Sequence, residues 1–182
     1  MILKIYRIDE TVPLPTFATS YSTCFDIRYA PRDSEHINGY SKVNLEVKAF
    51  LRENKSFDIY PGDRLLVPTG LIFALSADDG KANSTWLYPS YSIRLHSRSG
   101  LALKNGLVLA NGEGVIDADY QKEVFVLLTN ISDVTQSIHL NDRIAQAEVV
   151  QNFSSIVKMY ETPTPPVSLS ERNGGFGSTG TT

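Results

Sequence analysis

Short apolar runs, separated by Gly, Pro and clustered polar residues, set the rhythm of this chain, and the alternation within them is that of strands. Leu3 to Ile8 predicts an opening strand that Pro13 and Pro15 close off, and Cys24-Phe25-Asp26-Ile27 predicts a second. Residues 31–56 are polar and irregular, with Val43 to Phe50 open between a strand and a helical turn. Tyr60-Pro61-Gly62-Asp63 is a turn signature feeding a strand at Arg64 to Val67; Pro68-Thr69-Gly70 then breaks the chain before Leu71 to Leu75. Asp78-Asp79-Gly80-Lys81 marks another turn, Trp86 to Leu95 a long strand, and Ser99 to Lys104 the one short helix the pattern allows. Glu123 to Leu128, Arg143 to Val150 and Ile156 to Tyr160 complete the strands. So many short strands, with Gly and Pro between them, predict an all-β sandwich or barrel.

One stretch stands apart from this rhythm. Gly112-Glu113-Gly114-Val115-Ile116-Asp117-Ala118-Asp119-Tyr120 combines glycines that permit positive φ and close backbone approach with two strand formers, a carboxylate and an aromatic ring. With the strand at Glu123 it reads as a β-hairpin beside a Gly-lined cleft, Asp117 at its lip and Tyr120 close by. After Tyr160 the composition changes. Pro163, Pro165 and Pro166 form a stiff spacer, and Gly174 to Gly180 surrounds Phe176 with glycines and hydroxyls. Such a tail suits a lid over a flat phosphorylated ligand: Phe176 to stack, Ser178 to donate hydrogen bonds, Arg172 to clamp an anion. These features predict one domain over 1–160 and a flexible arm over 161–182.

Composition narrows the classes. The 182 residues are 42% hydrophobic and 20% charged, ordinary for one globular domain and incompatible with disorder throughout. The net charge of -3 argues against nucleic-acid binding through a broad basic surface. Cys24 is the one cysteine, so no intramolecular disulfide forms, and His36, His96 and His139 are too scattered for a zinc site. With no signal peptide or membrane span legible, the expectation is a soluble cytoplasmic protein, or one of the host cytoplasm if its source is viral.

Four stretches, in order, resemble the trimeric dUTPases: Ser97-Arg98-Ser99-Gly100-Leu101-Ala102, Gly114-Val115-Ile116-Asp117-Ala118-Asp119-Tyr120, Asp142-Arg143-Ile144-Ala145-Gln146, and the Gly174-to-Gly180 tail. Thr23-Cys24-Phe25-Asp26-Ile27 is a looser fifth match. The resemblance implies a jelly-roll-like β fold, a homotrimer with shared active sites, and Mg²⁺-assisted hydrolysis of dUTP to dUMP and pyrophosphate, which keeps uracil out of DNA and supplies dUMP for dTTP synthesis. It makes Asp117 the base that activates water at the α-phosphorus, and sets Tyr120 against the deoxyribose. The backbone around Gly114 and Val115, with Asn111, would read the uracil edge. Arg98, Ser99, Gly100 and Gln146 would line the triphosphate, Arg172, Phe176, Gly177 and Ser178 would close over it, and Asp26 would hold waters of the Mg²⁺ shell. Asp142 and Arg143 read as ion pairs of the fold or of a subunit interface.

The chain departs from the family pattern at Cys24 and Ser97, where Gly and Pro are usual, at Lys122, commonly Gly, and in an Arg172–Phe176 spacing one residue short. Residues 31–56 and 77–91 look like surface insertions. Two alternatives remain: a dCTP deaminase-like enzyme, which would need a glutamate acting on the base, and a nucleotide-sensing interaction protein whose catalysis is secondary.

Overall fold

The computed structural model describes residues 2–32, 34–76, 91–154 and 156–165, and it is all-β with one short helix. In chain order the elements are β1 (Ile2–Arg7), β2 (Phe25–Arg28), β3 (His36–Tyr40), β4 (Glu46–Phe50), β5 (Phe57–Ile59), β6 (Arg64–Ser76), β7 (Tyr91–His96), α1 (Ser99–Asn105), β8 (Leu107–Leu109), β9 (Gly114–Ile116), β10 (Glu123–Asn130), β11 (Gln136–Ile138) and β12 (Arg143–Gln151). A six-stranded sheet runs β4-β3-β6-β10-β8, with β1 also paired to β6; a four-stranded sheet runs β2-β12-β7-β9, and β5 pairs with β11. No closed barrel forms among the described strands. Between the sheets lie Phe25, Ile27, Ile93, Leu95, Ala145 and Ala147 from one and Leu65, Val67, Phe73, Val126 and Leu128 from the other, all buried. The period-2 alternation of β2 and β7 produces this division, because every second side chain must face the same way.

Four expectations need correction. Gly114–Ile116 and Glu123–Leu128 do not form a hairpin: β9 pairs with β7 and β10 with β6 and β8, so residues 117–122 cross between sheets. The tight turn lies earlier, where Gly112 adopts φ 71 and its N–H donates to Leu109 O at 3.1 Å. Residues 31–56 are not irregular throughout: of the two readings of Val43 to Phe50 the strand holds, as β4, and with the unforeseen β3 it forms a hairpin extending the large sheet. Gly39 hid it; a Cβ there would sit 2.1 Å from Arg64 O, so the strand needs its glycine. Pro68-Thr69-Gly70 does not interrupt β6, because Thr69 Oγ1 donates to Val124 O at 2.7 Å and Gly70 N–H to Glu123 Oε1 at 2.9 Å. Side chains there replace the ladder across a register shift between Glu123 and Phe125. Finally, Ile156 to Tyr160 is not a strand; Ile156, Val157, Met159 and Tyr160 are all exposed.

Candidate active site

Pairing of β2 with β12 places Asp26 directly opposite Gln146, and pairing of β12 with β7 places Gln146 opposite His96. The chain leaves β7 through Ser97 and Arg98 and enters α1 at Ser99, so the start of the helix overhangs this row. The result is an open cleft of about 390 Å³ lined by Asp26, Arg98, Ser99, Gly100, Arg143 and Gln146, with Ala18, Ser22, Thr23 and Cys24 on its other wall.

The cleft is held by its own charges. Asp26 Oδ1 accepts from Arg98 Nε at 3.1 Å and Oδ2 from Arg143 Nη1 at 3.2 Å, while Arg98 Nη1 donates to Arg143 O at 3.1 Å. Two guanidiniums around one carboxylate leave a net positive cleft with N–H groups to spare, which favours an anion. Gln146 Nε2 donates to Ser97 O at 3.1 Å, and Ser97 Oγ accepts from Leu109 N–H at 2.9 Å, so the segment entering α1 is tied to β12 and β8. The first helical bond is Ala102 N–H to Arg98 O, which leaves the amides of Ser99 and Gly100 free of intrahelical partners. Nothing lies within 4 Å of a Cβ built on Gly100, consistent with open access there. Burial, with Glu148's charge behind it, pushes the thiol of Cys24 up, away from the thiolate form that nucleophilic chemistry needs.

Asn111, Gly114, Val115, Asp117 and Tyr120 do not line this cleft. Because β9 is antiparallel to β7, each step from Gly114 toward Asp117 leads away from Ser97 to Gly100. Gly114 packs on Leu95, whose side chain would lie 3.0 Å from an added Cβ. Asp117 is exposed, and its carboxylate makes no hydrogen bond or ion pair among the described residues. Tyr120 donates its hydroxyl to Glu123 O at 2.9 Å, which fixes the ring while leaving it 40% exposed. Glu123 is the buried anchor of this region, paired with Arg32 at 2.8 Å. Arg172, Phe176, Gly177 and Ser178 lie outside the described residues.

Arg143 is the site residue that sequence reasoning assigned elsewhere. It is an ion-pair residue, as expected, but its partner is Asp26 of the same chain and it lines the cleft. Asp142 serves the preceding turn, accepting from His139 N–H at 2.8 Å.

An all-β protein with an arginine-lined cleft and a separate exposed carboxylate is the class that this geometry defines. The dUTPase family model matches residues 84–180, and the chain belongs to the dUTPase family. A curated relative, the deoxyuridine 5'-triphosphate nucleotidohydrolase of Bartonella henselae, is 35% identical over 99% of this chain and 84% of its own. Among solved structures, a point mutant of the Staphylococcus bacteriophage 80alpha dUTPase with dUpNHpp superposes with TM-score 0.70 at 18% identity, covering 98% of both chains. A point mutant of the dUTPase of phage phi11 of S. aureus, whose structure details the coordination of a structural Mg(II) ion, superposes with TM-score 0.62 at 17% identity, covering 90% of this chain and 99% of that one.

Proposed function

We propose that the protein hydrolyses dUTP to dUMP and pyrophosphate. The observation that carries this reading is the Arg98–Asp26–Arg143 cleft with Ser99, Gly100 and Gln146 on its walls, in a chain of the dUTPase family. A triphosphate needs dispersed positive charge and close N–H donors, and this cleft supplies both. Asp117 takes a proton from water as its oxygen attacks the α-phosphorus; the bond from that phosphorus to the oxygen bridging to the β-phosphate breaks, and pyrophosphate leaves with those electrons. Tyr120, its hydroxyl already committed to Glu123 O, presents its ring to the sugar and crowds a 2′-hydroxyl. The backbone of the 110–115 turn, with Asn111, reads the uracil edge.

The donor set suits Mg²⁺ carried by the substrate. The cleft offers one carboxylate, Asp26, and no group of three or more His, Cys, Asp or Glu among the described residues could hold a metal by itself. A hard cation that keeps its waters and the phosphate oxygens needs no more than that. When bound, Mg²⁺ neutralises charge on the phosphates, and Asp26 would hold its waters.

Separation of Asp117 from the cleft within one chain supports sites shared between copies in a homotrimer, closed by the 161–182 arm through Arg172, Phe176, Gly177 and Ser178. Exposed apolar side chains on the outer face of the large sheet, Leu66 and Phe125, are surface that such an assembly would cover. The protein works on this reading in the cytoplasm. Pyrophosphate release measured with dUTP, UTP, dCTP, dTTP, dATP and dGTP tests the proposal. Turnover confined to dUTP is expected; ammonia from dCTP would make it a deaminase, and nucleotide binding without turnover a sensing protein.

A further inference from the structure

One ionic cluster lies outside the cleft and has no part in the proposed chemistry. Glu113 stands one residue before β9, and the β7–β9 register, with Leu95 opposite Gly114, carries on to place it across from His96. Its Oε2 accepts from Arg94 Nη1 at 2.9 Å, and its Oε1 lies 3.9 Å from His96 Nδ1. His96 Nε2 in turn meets Glu148 Oε1, 3.1 Å away on β12. Arg94, His96 and Glu148 alternate with the buried Ile93, Leu95 and Ala147, so the cluster lies along the outer face of the four-stranded sheet.

Between Ala110, whose N–H donates to Leu127 O at 2.9 Å, and Gly114, paired with Leu95, the turn that Glu113 closes has little else to hold it. Asn111, Gly112 and Glu113 are exposed, and a Cβ built on Gly112 would meet nothing within 4 Å. The amides of Gly112 and Glu113 make only local bonds, to Leu109 O at 3.1 Å and Asn111 O at 2.8 Å. A glycine turn of this kind has several accessible shapes unless something outside selects one.

We infer that Glu113 is a positioning residue: its pairing with Arg94, flanked by His96, holds the 110–114 turn in the shape that presents its backbone to the base. The inference rests on the reading of this turn as the element that recognises uracil. Glu113 touches no substrate in this role and acts through the backbone of Asn111 and Gly114. An ion pair this exposed adds little to global stability, so its effect falls on ligand binding by preorganisation.

Glu113→Gln keeps the size of the side chain and removes its charge. In the full-length protein, KM for dUTP should rise about three- to fivefold, as loss of one exposed pair allows. The kcat and the unfolding midpoint should stay at wild-type values. The inhibition constant of dUMP should rise by the same factor, while that of inorganic triphosphate, which has no base, should not move. Arg94→Gln should reproduce the effect, and the double variant should add nothing to either single one. An unchanged KM overturns the inference, and so does multiplication of the two effects. An equal rise for inorganic triphosphate would place the effect in the phosphate cleft and also overturn it. A wild-type protein without dUTP turnover would remove the underlying reading of the turn, and this inference with it.

Discussion

The cleft and the lip are built in opposite ways. In the cleft every charged group has a partner, Asp26 being shared by Arg98 and Arg143, and the neutral amide of Gln146 is bound to Ser97 O. On the lip, Asp117 is exposed and its carboxylate makes no hydrogen bond or ion pair among the described residues, although its backbone carbonyl accepts from Tyr120 N–H at 3.1 Å and the Tyr120 hydroxyl is itself fixed. A binding surface benefits from preorganisation, because nothing then has to be ordered when the ligand arrives. A general base needs the reverse, a free oxygen aimed where a proton will be released. On the proposed reading the cleft takes the phosphates, while the lip supplies the base catalyst and the contacts to sugar and uracil; two substitutions on the lip and one in neither region probe that division.

The largest effect should come from Asp117→Asn. It keeps the shape and removes proton acceptance, so kcat should fall by roughly two to four orders of magnitude. Affinity for a non-hydrolysable dUTP analogue, measured by titration calorimetry, should hold, because the cleft is intact; near-normal turnover would strip the lip of its chemical role. Tyr120→Ala should act on selectivity. With the ring gone, kcat/KM for UTP relative to dUTP should rise roughly tenfold, and an unchanged ratio would assign sugar discrimination to another residue.

The smallest effect should come from a residue in neither region. Asp63 lies in the turn between β5 and β6, and burial holds its carboxyl above the ordinary aspartate value. The native state therefore binds this proton more tightly than the unfolded chain does. Stability from this group is full below the unfolded aspartate value of about 3.9 and declines as pH rises from there through the raised native value. Asp63→Asn removes that decline, so scanning calorimetry should show a flatter dependence of Tm on pH just above the aspartate range, with no loss at pH 7. A clear loss at pH 7 would mean that the carboxylate is needed, and turnover should be wild-type throughout.

The two regions also differ in how far the sequence revealed them. Strand alternation located β1, β2, β7, β10 and β12 to within a residue or two wherever the structure describes them, since period-2 burial is a local property. Sheet membership is not local, which is why Gly114 to Ile116 looked like a partner of the strand after it and instead pairs with β7. The β3–β4 hairpin was illegible because Gly39, required by contact with Arg64, breaks the apolar pattern. Asp26, Arg98, Ser99, Gly100 and Gln146 were identified by the order of their motifs, and the structure brings them into one cleft. The place of Arg143 in that cleft was not legible, because its partner lies 117 residues away and only the register of β2 on β12 brings them together.

On the proposed reading, an intact cleft and an intact lip meet only between copies. Asp117→Asn and Arg98→Gln each disable one region, and each should be nearly inactive alone. Refolded together in equal amounts, they should assemble at random, and every mixed trimer should then hold one site that joins an intact cleft to an intact lip. That arrangement predicts roughly a quarter of wild-type dUTP turnover. No recovery, with mixed trimers confirmed by native mass spectrometry, would contradict the shared site and return both regions to a single chain.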